Sequence, residues 1–130
     1  MIVVDASAIL ELLLRTPAAV LVEAQLFAPR QTLHAPHLID VEVAQVLRRY
    51  AATRAIADSR AEEALVDLGD LSLRRYPHDF LLPRIWRLRA NLTAYDAAYV
   101  ALAEALDAPL LTRDAKLAAA PGHHARIALV

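Results

Sequence analysis

The 130-residue chain contains no cysteine, so disulfide bonds, thiolate zinc sites and a cysteine nucleophile are all excluded. Glycine is also scarce, with two residues, and the first predicted strand is followed by "DASAIL" rather than by a glycine-rich turn. A dinucleotide-binding domain needs glycines at that turn, so this class is excluded. Aromatic residues make up 5% of the chain, which argues against extended base stacking on a single-stranded nucleic acid.

The chain has no excess of charge of either sign, with a formal net charge of -1. A strongly basic arm that binds nucleic acid is therefore absent, although a local basic face is compatible with this balance. The N-terminus lacks a basic segment before its first apolar run, and Asp5, Glu11 and Arg15 interrupt the apolar stretches. This pattern argues against a signal peptide and a membrane span, and we expect a cytoplasmic protein.

What the chain has in abundance is apolar side chains, at 58% of its residues. Its length suits one domain with a real core, and we expect residues 1–130 to form a single domain. The segment 7–27, "SAILELLLRTPAAVLVEAQLF", is apolar around much of its circumference. This surplus predicts a protein partner or self-association, and an amphipathic partner helix is one solution.

Short apolar strands alternate with helical patterns along the whole chain. This alternation predicts βαβ units and a parallel sheet with helices on both faces. Thr16 is expected to cap the second helix, with Pro17 at its first position. Strands are predicted at 2–4, 33–35, 72–74, 108–114 and 126–130. Helices are predicted at 6–14, 17–27, 39–51, 58–68, 80–89, from 93 onwards and at 115–120.

Four acidic residues fall at strand-to-helix junctions or in the first turns of predicted helices: Asp5, Glu42, Asp96 and Asp114. In a parallel sheet these junctions share an edge, which is where ligands bind. Two carboxylates about 4 Å apart repel by roughly 4 kcal/mol at an effective dielectric of 20. A cluster of them therefore predicts protonation or a hard cation, and oxygen ligands suit Mg²⁺ or Mn²⁺.

Each acid alone also has an ordinary explanation as a helix-capping or helix-dipole residue. Aspartate is a common N-cap residue, so Asp5 could simply cap the helix that follows it. Thr93 and Asp96 have the spacing of a capping box. Thr112 or Asp114 is a candidate cap for the last helix. The sequence leaves capping and cation binding open for each residue, and only the set as a whole favours the cation.

Four segments, "VVDASAIL", "HLIDVEVAQVLRR", "LTAYDAAYVALAEAL" and "LLTRDAKLA", resemble the PIN-domain ribonucleases and, more narrowly, the VapC toxins of bacterial toxin–antitoxin pairs. The resemblance implies a three-layer α/β/α PIN-like domain with a central parallel sheet. It implies a metal-dependent endoribonuclease in which Asp5, Glu42, Asp96 and Asp114 form the acidic quartet that binds Mg²⁺ or Mn²⁺. It also implies an RNA substrate, a cognate VapB-like antitoxin and a toxin homodimer.

Within this resemblance, Asp5 and Asp96 are expected to be the main direct ligands, and Asp114 binds directly or through water. Glu42 is expected to bind a second ion or to orient the attacking water. Ser7 and Thr112 match the small polar positions beside the acids and are expected to fix their geometry. Asp40 is an additional acid without an assigned role, and helix capping is its simplest explanation.

An acidic site needs basic residues to hold a polyanionic substrate. Arg49, Arg113 and Lys116 are predicted to bind RNA because they lie near the acids in sequence. The shape of a folded RNA is the expected recognition feature. The wider candidates are routine exposed arginines: Arg74, Arg75, Arg84, Arg87 and Arg89.

Several other functions require residues that this chain lacks. A haloacid dehalogenase-type phosphatase needs a second Asp where Ser7 stands, and a receiver domain needs an acid that "LSLRRY" does not offer. A serine nucleophile is disfavoured because Ser7 has no nearby histidine in sequence. His34, His37, His123 and His124 lack the spacing of a metal site. Two alternatives stay open: a catalytically inactive PIN-fold module that binds RNA or protein, and a DNA-directed nuclease of related fold.

Overall fold

A five-stranded parallel sheet forms the centre of the computed structural model, which describes residues 1–130. The strand order is β3-β2-β1-β4-β5, and each neighbouring pair is parallel. The strands are β1 (Ile2–Val4), β2 (Leu33–Pro36), β3 (Leu73–Tyr76), β4 (Leu110–Thr112) and β5 (Ile127–Leu129). The helices are α1 (Ala6–Leu13), α2 (Ala19–Leu26), α3 (Leu38–Ala52), α4 (Asp58–Asp70), α5 (Leu82–Arg87), α6 (Ala94–Leu106) and α7 (Ala115–Ala119).

Strand β1 lies in the middle of the sheet, between β2 and β4, and all three of its residues are buried. Such uninterrupted apolar strands are typical of parallel sheets that are covered on both faces. Helices α1 to α4 contact one another, while α5 packs on α6 and α7 packs on β4 and β5. The predicted α/β fold with a central parallel sheet is confirmed.

The sheet has a topological switch point between β1 and β4, where the order in which strands are added reverses. It steps from β1 through β2 to β3, and then returns to the other side of β1 to form β4. A crevice forms at the carboxyl ends of the strands that flank such a switch point. The topology therefore places the residues after β1 and after β4 beside one another, although more than a hundred residues separate them in the chain.

The start of the second helix differs from the prediction. Helix α2 begins at Ala19, and no side chain caps it. The hydroxyl of Thr16 instead donates a hydrogen bond to the carboxylate of Glu11 in α1. A charged carboxylate is a stronger acceptor than a neutral group, and that of Glu11 lies within reach of this hydroxyl. Thr16 therefore ties the segment between the two helices to α1 instead of capping α2.

The predicted helix 80–89 is divided in the structure. A 3₁₀ turn covers Asp79–Leu81, and the α-helix α5 runs only from Leu82 to Arg87. Pro83 explains this division, because proline has no backbone N–H to donate and fits the first turn of an α-helix. Strand β3 also lies later than predicted, since it pairs with the full length of β2 up to Pro36 and Tyr76.

Asp40 does not cap α3, which has no side-chain cap. Its two carboxylate oxygens accept hydrogen bonds from Nε and Nη2 of Arg75, at 2.7 and 2.8 Å. This bidentate ion pair fixes α3 against strand β3. The simplest explanation for Asp40 was therefore wrong, and the residue lies outside the acidic cavity described below.

One cluster of 33 buried residues fills the space between the sheet and its helices. Helix α6 contributes most of its length to this cluster, since seven of its thirteen residues are buried. No helix is long and apolar enough to cross a membrane.

Candidate active site

An open cavity of about 650 Å³ lies where β1 and β4 end. All four acids of the predicted quartet line it: Asp5, Glu42, Asp96 and Asp114. Asp5 follows β1, Asp114 caps the helix after β4, and Asp96 lies in the first turn of α6. Glu42 is the fifth residue of α3 and therefore lies just beyond its first turn, slightly later than predicted.

Asp5 is the most enclosed of the four acids, with 6% of its surface exposed. Its Oδ1 accepts hydrogen bonds from the backbone N and the Oγ of Ser7, at 2.6 and 2.5 Å, and from the backbone N of Ala8 at 3.3 Å. Its Oδ2 accepts a hydrogen bond from Oγ1 of Thr112 at 2.6 Å. Asp5 therefore caps α1 and is held in one orientation by two hydroxyl groups.

The same two hydroxyl groups also accept hydrogen bonds from the loop that follows β4. The Oγ of Ser7 accepts from the backbone N of Arg113 at 2.9 Å, and Oγ1 of Thr112 accepts from the backbone N of Asp114 at 3.0 Å. Thr112 is fully buried behind Asp5. Ser7 and Thr112 thus fix the relative positions of the first and the last acid of the quartet.

Asp114 caps the short helix α7 with one oxygen and leaves the other free. Its Oδ1 accepts hydrogen bonds from the backbone N of Lys116 and of Leu117, at 2.9 and 3.3 Å. Its Oδ2 accepts no hydrogen bond from the protein. Capping and a role in the cavity are therefore compatible at this residue.

Glu42 is joined to a buried tyrosine. The hydroxyl of Tyr99 donates a hydrogen bond to Oε1 of Glu42 at 2.5 Å, and Oε2 of Glu42 accepts none. Burial raises the pKa of Glu42, the hydrogen bond from Tyr99 opposes this, and the charges of Asp5 and Asp96 raise it further. Burial also raises the pKa of Tyr99, and so do the charge and the hydrogen bond of Glu42.

Asp96 follows a helix cap and faces the other acids. The hydroxyl of Thr93 accepts a hydrogen bond from the backbone N of Asp96 at 3.2 Å, as in the first half of a capping box. Burial raises the pKa of Asp96, and the charges of Asp114 and Asp5 raise it further. The acids therefore lie close enough to disfavour one another's ionisation.

The chemistry of this donor set fits a hard divalent cation such as Mg²⁺ or Mn²⁺, because every donor is oxygen. Burial is the main cause of the raised pKa values of Glu42 and Asp96, and a cation would offset the repulsion between the acids that adds to it. No group of three acidic or histidine side chains is already close enough to hold one ion. Binding would therefore draw at least one carboxylate inward from the position it has in the structure.

The three predicted RNA-binding residues lie in different positions. Arg49 and Arg113 line the cavity beside the acids, whereas Lys116 is exposed and does not line it. Nε of Arg113 lies 3.4 Å from Oε1 of Glu11, and its Nη1 donates a hydrogen bond to the backbone oxygen of Val130 at 2.5 Å. Arg49 has no ion-pair partner in the protein, so its guanidinium is available to a ligand.

Several other basic residues serve the fold. Arg75 is paired with Asp40, and Nε of Arg84 donates a hydrogen bond to Oε2 of Glu104 at 2.7 Å. His34 is buried in β2, with Nε2 at 2.8 Å from Oγ1 of Thr32 and Nδ1 at 2.7 Å from the hydroxyl of Tyr76. These contacts explain the residues without a ligand.

Sequence reasoning missed the aromatic residues of the cavity. Tyr99 contacts Glu42, and the more exposed Tyr50 and Tyr95 line the wall. Tyr99 lies three residues after Asp96 in α6, and this spacing places two side chains on the same face of a helix. That spacing is the signal that could have identified it.

A protein-family model described as "PIN domain" matches residues 2–122. The chain belongs to the PIN-domain family. Curated PIN-domain relatives from Mycobacterium tuberculosis are similar to it along nearly their whole length. "Ribonuclease VapC1" is 46% identical over 98% of this chain and 96% of its own. "Ribonuclease VapC12" is 43% identical over 100% of this chain and 99% of its own. "Ribonuclease VapC9" is 49% identical over 90% of this chain and 88% of its own. The chain is thus a member of the VapC group of PIN-domain ribonucleases, as its motifs predicted.

Solved structures agree with the PIN-domain fold. The protein "PAE2754 from Pyrobaculum aerophilum" superposes with a TM-score of 0.70 at 26% identity, covering 97% of this chain and 81% of that one. The structure of "VapBC2 from Rickettsia felis bound to a DNA fragment from their promoter" gives a TM-score of 0.69 at 14% identity, covering 98% of both chains. At that identity the second likeness shows the fold alone.

Proposed function

We propose that the chain is a divalent-metal-dependent endoribonuclease that hydrolyses RNA phosphodiester bonds as the toxin of a VapC-type toxin–antitoxin pair. The observation that carries this proposal is the convergence of four acids on one cavity in a member of the VapC group. Asp5, Glu42, Asp96 and Asp114 are the metal-binding and catalytic residues, and the metal is Mg²⁺ or Mn²⁺. The location in the cytoplasm, the single-domain extent and the homodimer remain predictions from the sequence.

A bound divalent ion lowers the pKa of a water molecule and stabilises charge on phosphate oxygens. Asp5 and Asp96 are the main residues that hold it, and Asp114 adds its free Oδ2 directly or through water. Glu42 offers Oε2, either to an ion or to the attacking water. Ser7 and Thr112 keep Asp5 in place through hydrogen bonds that are already formed.

Arg49 and Arg113 are the residues proposed to bind phosphates on either side of the scissile bond, because both line the cavity. Arg113 must exchange its contact with Glu11 for a phosphate oxygen. Lys116 is exposed at the start of α7 and is proposed to contact RNA beyond the cavity.

The partner is proposed to be a VapB-like antitoxin that binds the apolar surface formed by α2 and the residue that follows it. Val20 and Leu21 of α2 and the neighbouring Phe27 leave 71%, 59% and 56% of their surfaces exposed. A surface of this kind suits the apolar face of a partner helix. A small neighbouring gene whose product has a DNA-binding N-terminal part would support this assignment.

The central test is cleavage of mixed RNA by the purified chain with Mg²⁺, with Mn²⁺ and with a chelator. We expect cleavage that requires the metal and that Asp96→Asn nearly abolishes, because the amide cannot replace the carboxylate charge. Circular dichroism is expected to show that the variant remains folded. Full activity of Asp96→Asn would remove this residue from the mechanism.

Two other outcomes would replace the proposed function. A folded wild-type chain that cuts nothing with either metal, but binds RNA or protein, would be the inactive binding module. Digestion of DNA in preference to RNA in a parallel assay would identify a DNA-directed nuclease.

A further inference from the structure

We infer that Tyr99 is a positioning residue that holds Glu42 in the orientation needed to bind a divalent ion in the acidic cavity. This inference rests on the proposed function, because it assigns a role to a neighbour of the proposed quartet. It concerns a residue that is 2% exposed, that lines the cavity and whose hydroxyl group contacts Glu42.

The geometry that carries the inference is a single hydrogen bond between two helices. Tyr99 lies in α6 and Glu42 in α3, and the tyrosine hydroxyl lies 2.5 Å from Oε1 of Glu42. The ring of Tyr99 is enclosed by the core, so its hydroxyl has little freedom to move. Because the tyrosine is fixed by the core, its hydrogen bond restricts the movement of the Glu42 carboxylate at the edge of the cavity.

Glu42 needs such a contact more than Asp5 or Asp114 does. Asp5 receives four hydrogen bonds, and Asp114 receives two from the backbone of α7. Glu42 receives its only hydrogen bond from Tyr99, and its side chain is longer and has more rotamers to lose. Without the hydroxyl of Tyr99, ion binding would have to fix those rotamers itself.

The direction of the hydrogen bond also selects which oxygen is offered. Tyr99 occupies Oε1, and Oε2 of Glu42 accepts no hydrogen bond from the protein. The carboxylate is thus held by one oxygen and presents the other, in the same way that Asp114 is held by Oδ1 and leaves Oδ2 free. Both residues follow the rule that acidic ligands are oriented by partners behind them.

The experiment compares two tyrosine-to-phenylalanine variants that each lose one partly buried hydrogen bond. Tyr99→Phe removes the contact with Glu42. Tyr76→Phe removes the contact with His34, which lies outside the cavity, and serves as the matched control. Calorimetry with Mn²⁺ alone, without RNA, gives the affinity of each variant, and thermal unfolding gives its stability.

We expect Tyr99→Phe to weaken Mn²⁺ binding by about 10- to 100-fold, the usual effect of removing a partner behind a ligand. The Mn²⁺ concentration for half-maximal RNA cleavage should rise in parallel. Tyr76→Phe should bind Mn²⁺ like the wild type. Equal Mn²⁺ affinity of Tyr99→Phe and the wild type would overturn the inference.

A double-mutant cycle shows whether Tyr99 acts through Glu42. In a Glu42→Ala background, Tyr99→Phe should cause no further loss of Mn²⁺ affinity, whereas additive losses would overturn the inference. If Tyr99→Phe does not fold, Glu42→Asp is the second test. It keeps the carboxylate but has a shorter side chain, which lengthens the distance to the hydroxyl of Tyr99. Glu42→Asp should also lose affinity about 10-fold or more, and wild-type affinity would contradict the proposal.

Failure of this inference can be told apart from failure of the proposed function. If the wild type binds no Mn²⁺ and cleaves no RNA, the proposed function fails and the positioning role fails with it. If the wild type is active, Asp96→Asn is inactive and Tyr99→Phe behaves as the wild type, only the role of Tyr99 is wrong.

Discussion

Asp5 and Asp114 each combine two roles that the sequence presented as alternatives. Each carboxylate caps the helix that follows it, through Oδ1, and each lines the cavity. A cap needs only an oxygen that accepts hydrogen bonds from the backbone amides, so it does not prevent the same carboxylate from facing a cation. A capping pattern after a strand is therefore compatible with a metal site, and choosing between the two from one residue alone would have been a mistake.

His34 shows how a buried residue far from the cavity makes stability depend on pH. Burial lowers the pKa of His34 below its usual 6.5, and the positive charges of the N-terminus and of Arg74 add to this. The unfolded chain therefore binds a proton at a higher pH than the folded chain does. Stability from neutral His34 is present above pH 6.5 and is lost as the pH falls towards the lowered pKa.

As the pH falls from 7 through 6.5, protonation of His34 lowers the free energy of unfolding, whereas the raised pKa values of Glu42 and Asp96 act in the opposite direction. We therefore expect the free energy of unfolding to fall less, or to rise more, with decreasing pH in His34→Gln than in the wild type, because the glutamine does not titrate. The variant is also expected to be less stable at pH 7, because it repacks a buried site. Urea unfolding at several pH values measures both slopes. Identical slopes for the two proteins would show that His34 does not contribute.

At the scale of elements, the helix α7 depends on one acid of the cavity. It has five residues, and only Leu117 in it is buried, so packing alone holds it weakly. The cap provided by Oδ1 of Asp114 satisfies two backbone amides at its start. The stability of α7 and the completeness of the acidic cavity are therefore coupled through Asp114.

Two substitutions at this position separate the cap from the charge. Asp114→Asn keeps a good N-cap and should leave the free energy of unfolding nearly unchanged, whereas Asp114→Ala should lower it by about 1 kcal/mol. Both variants lose the free carboxylate oxygen, so both should bind Mn²⁺ more weakly. Urea unfolding and calorimetry give the two quantities, and a strongly destabilised Asp114→Asn would contradict this division.

The elements also show what the sequence could and could not predict. Alternating strands and helices predicted the parallel sheet, and strand ends followed by acids predicted the cavity, because both depend on local patterns. The pair formed by Asp40 and Arg75 was missed because it depends on a contact between distant segments. The start of α2 was missed because the hydroxyl of Thr16 bonds to Glu11 in the preceding helix instead of capping α2. Tyr99 was missed because an aromatic residue in an apolar helix has the same pattern whether or not its hydroxyl is used.

At the scale of the whole molecule, four separate segments supply the acids, and repulsion between them opposes folding. A divalent ion that binds only the folded chain should therefore stabilise it by mass action. At a Mn²⁺ concentration of 100 times the dissociation constant, the expected gain is about 2.7 kcal/mol. A thermal unfolding series with increasing Mn²⁺ measures it.

Asp96→Asn is the matched variant for this measurement. It should gain much less stability from Mn²⁺, although it should be as stable as the wild type or more so without metal, because it removes one of the repelling charges. An equal upward shift of the melting temperature in both proteins would mean that Mn²⁺ binds somewhere other than the acidic cavity.

The last acid of the cavity belongs to a part of the chain that is held loosely. The short helix α7, with Leu117 as its single buried residue, and the edge strand β5, with no buried residue, follow β4. Segments with few buried contacts open before the rest of a protein does. Because Asp114 belongs to this end of the chain, its undocking would remove one acid from the cavity while the other four strands stay paired.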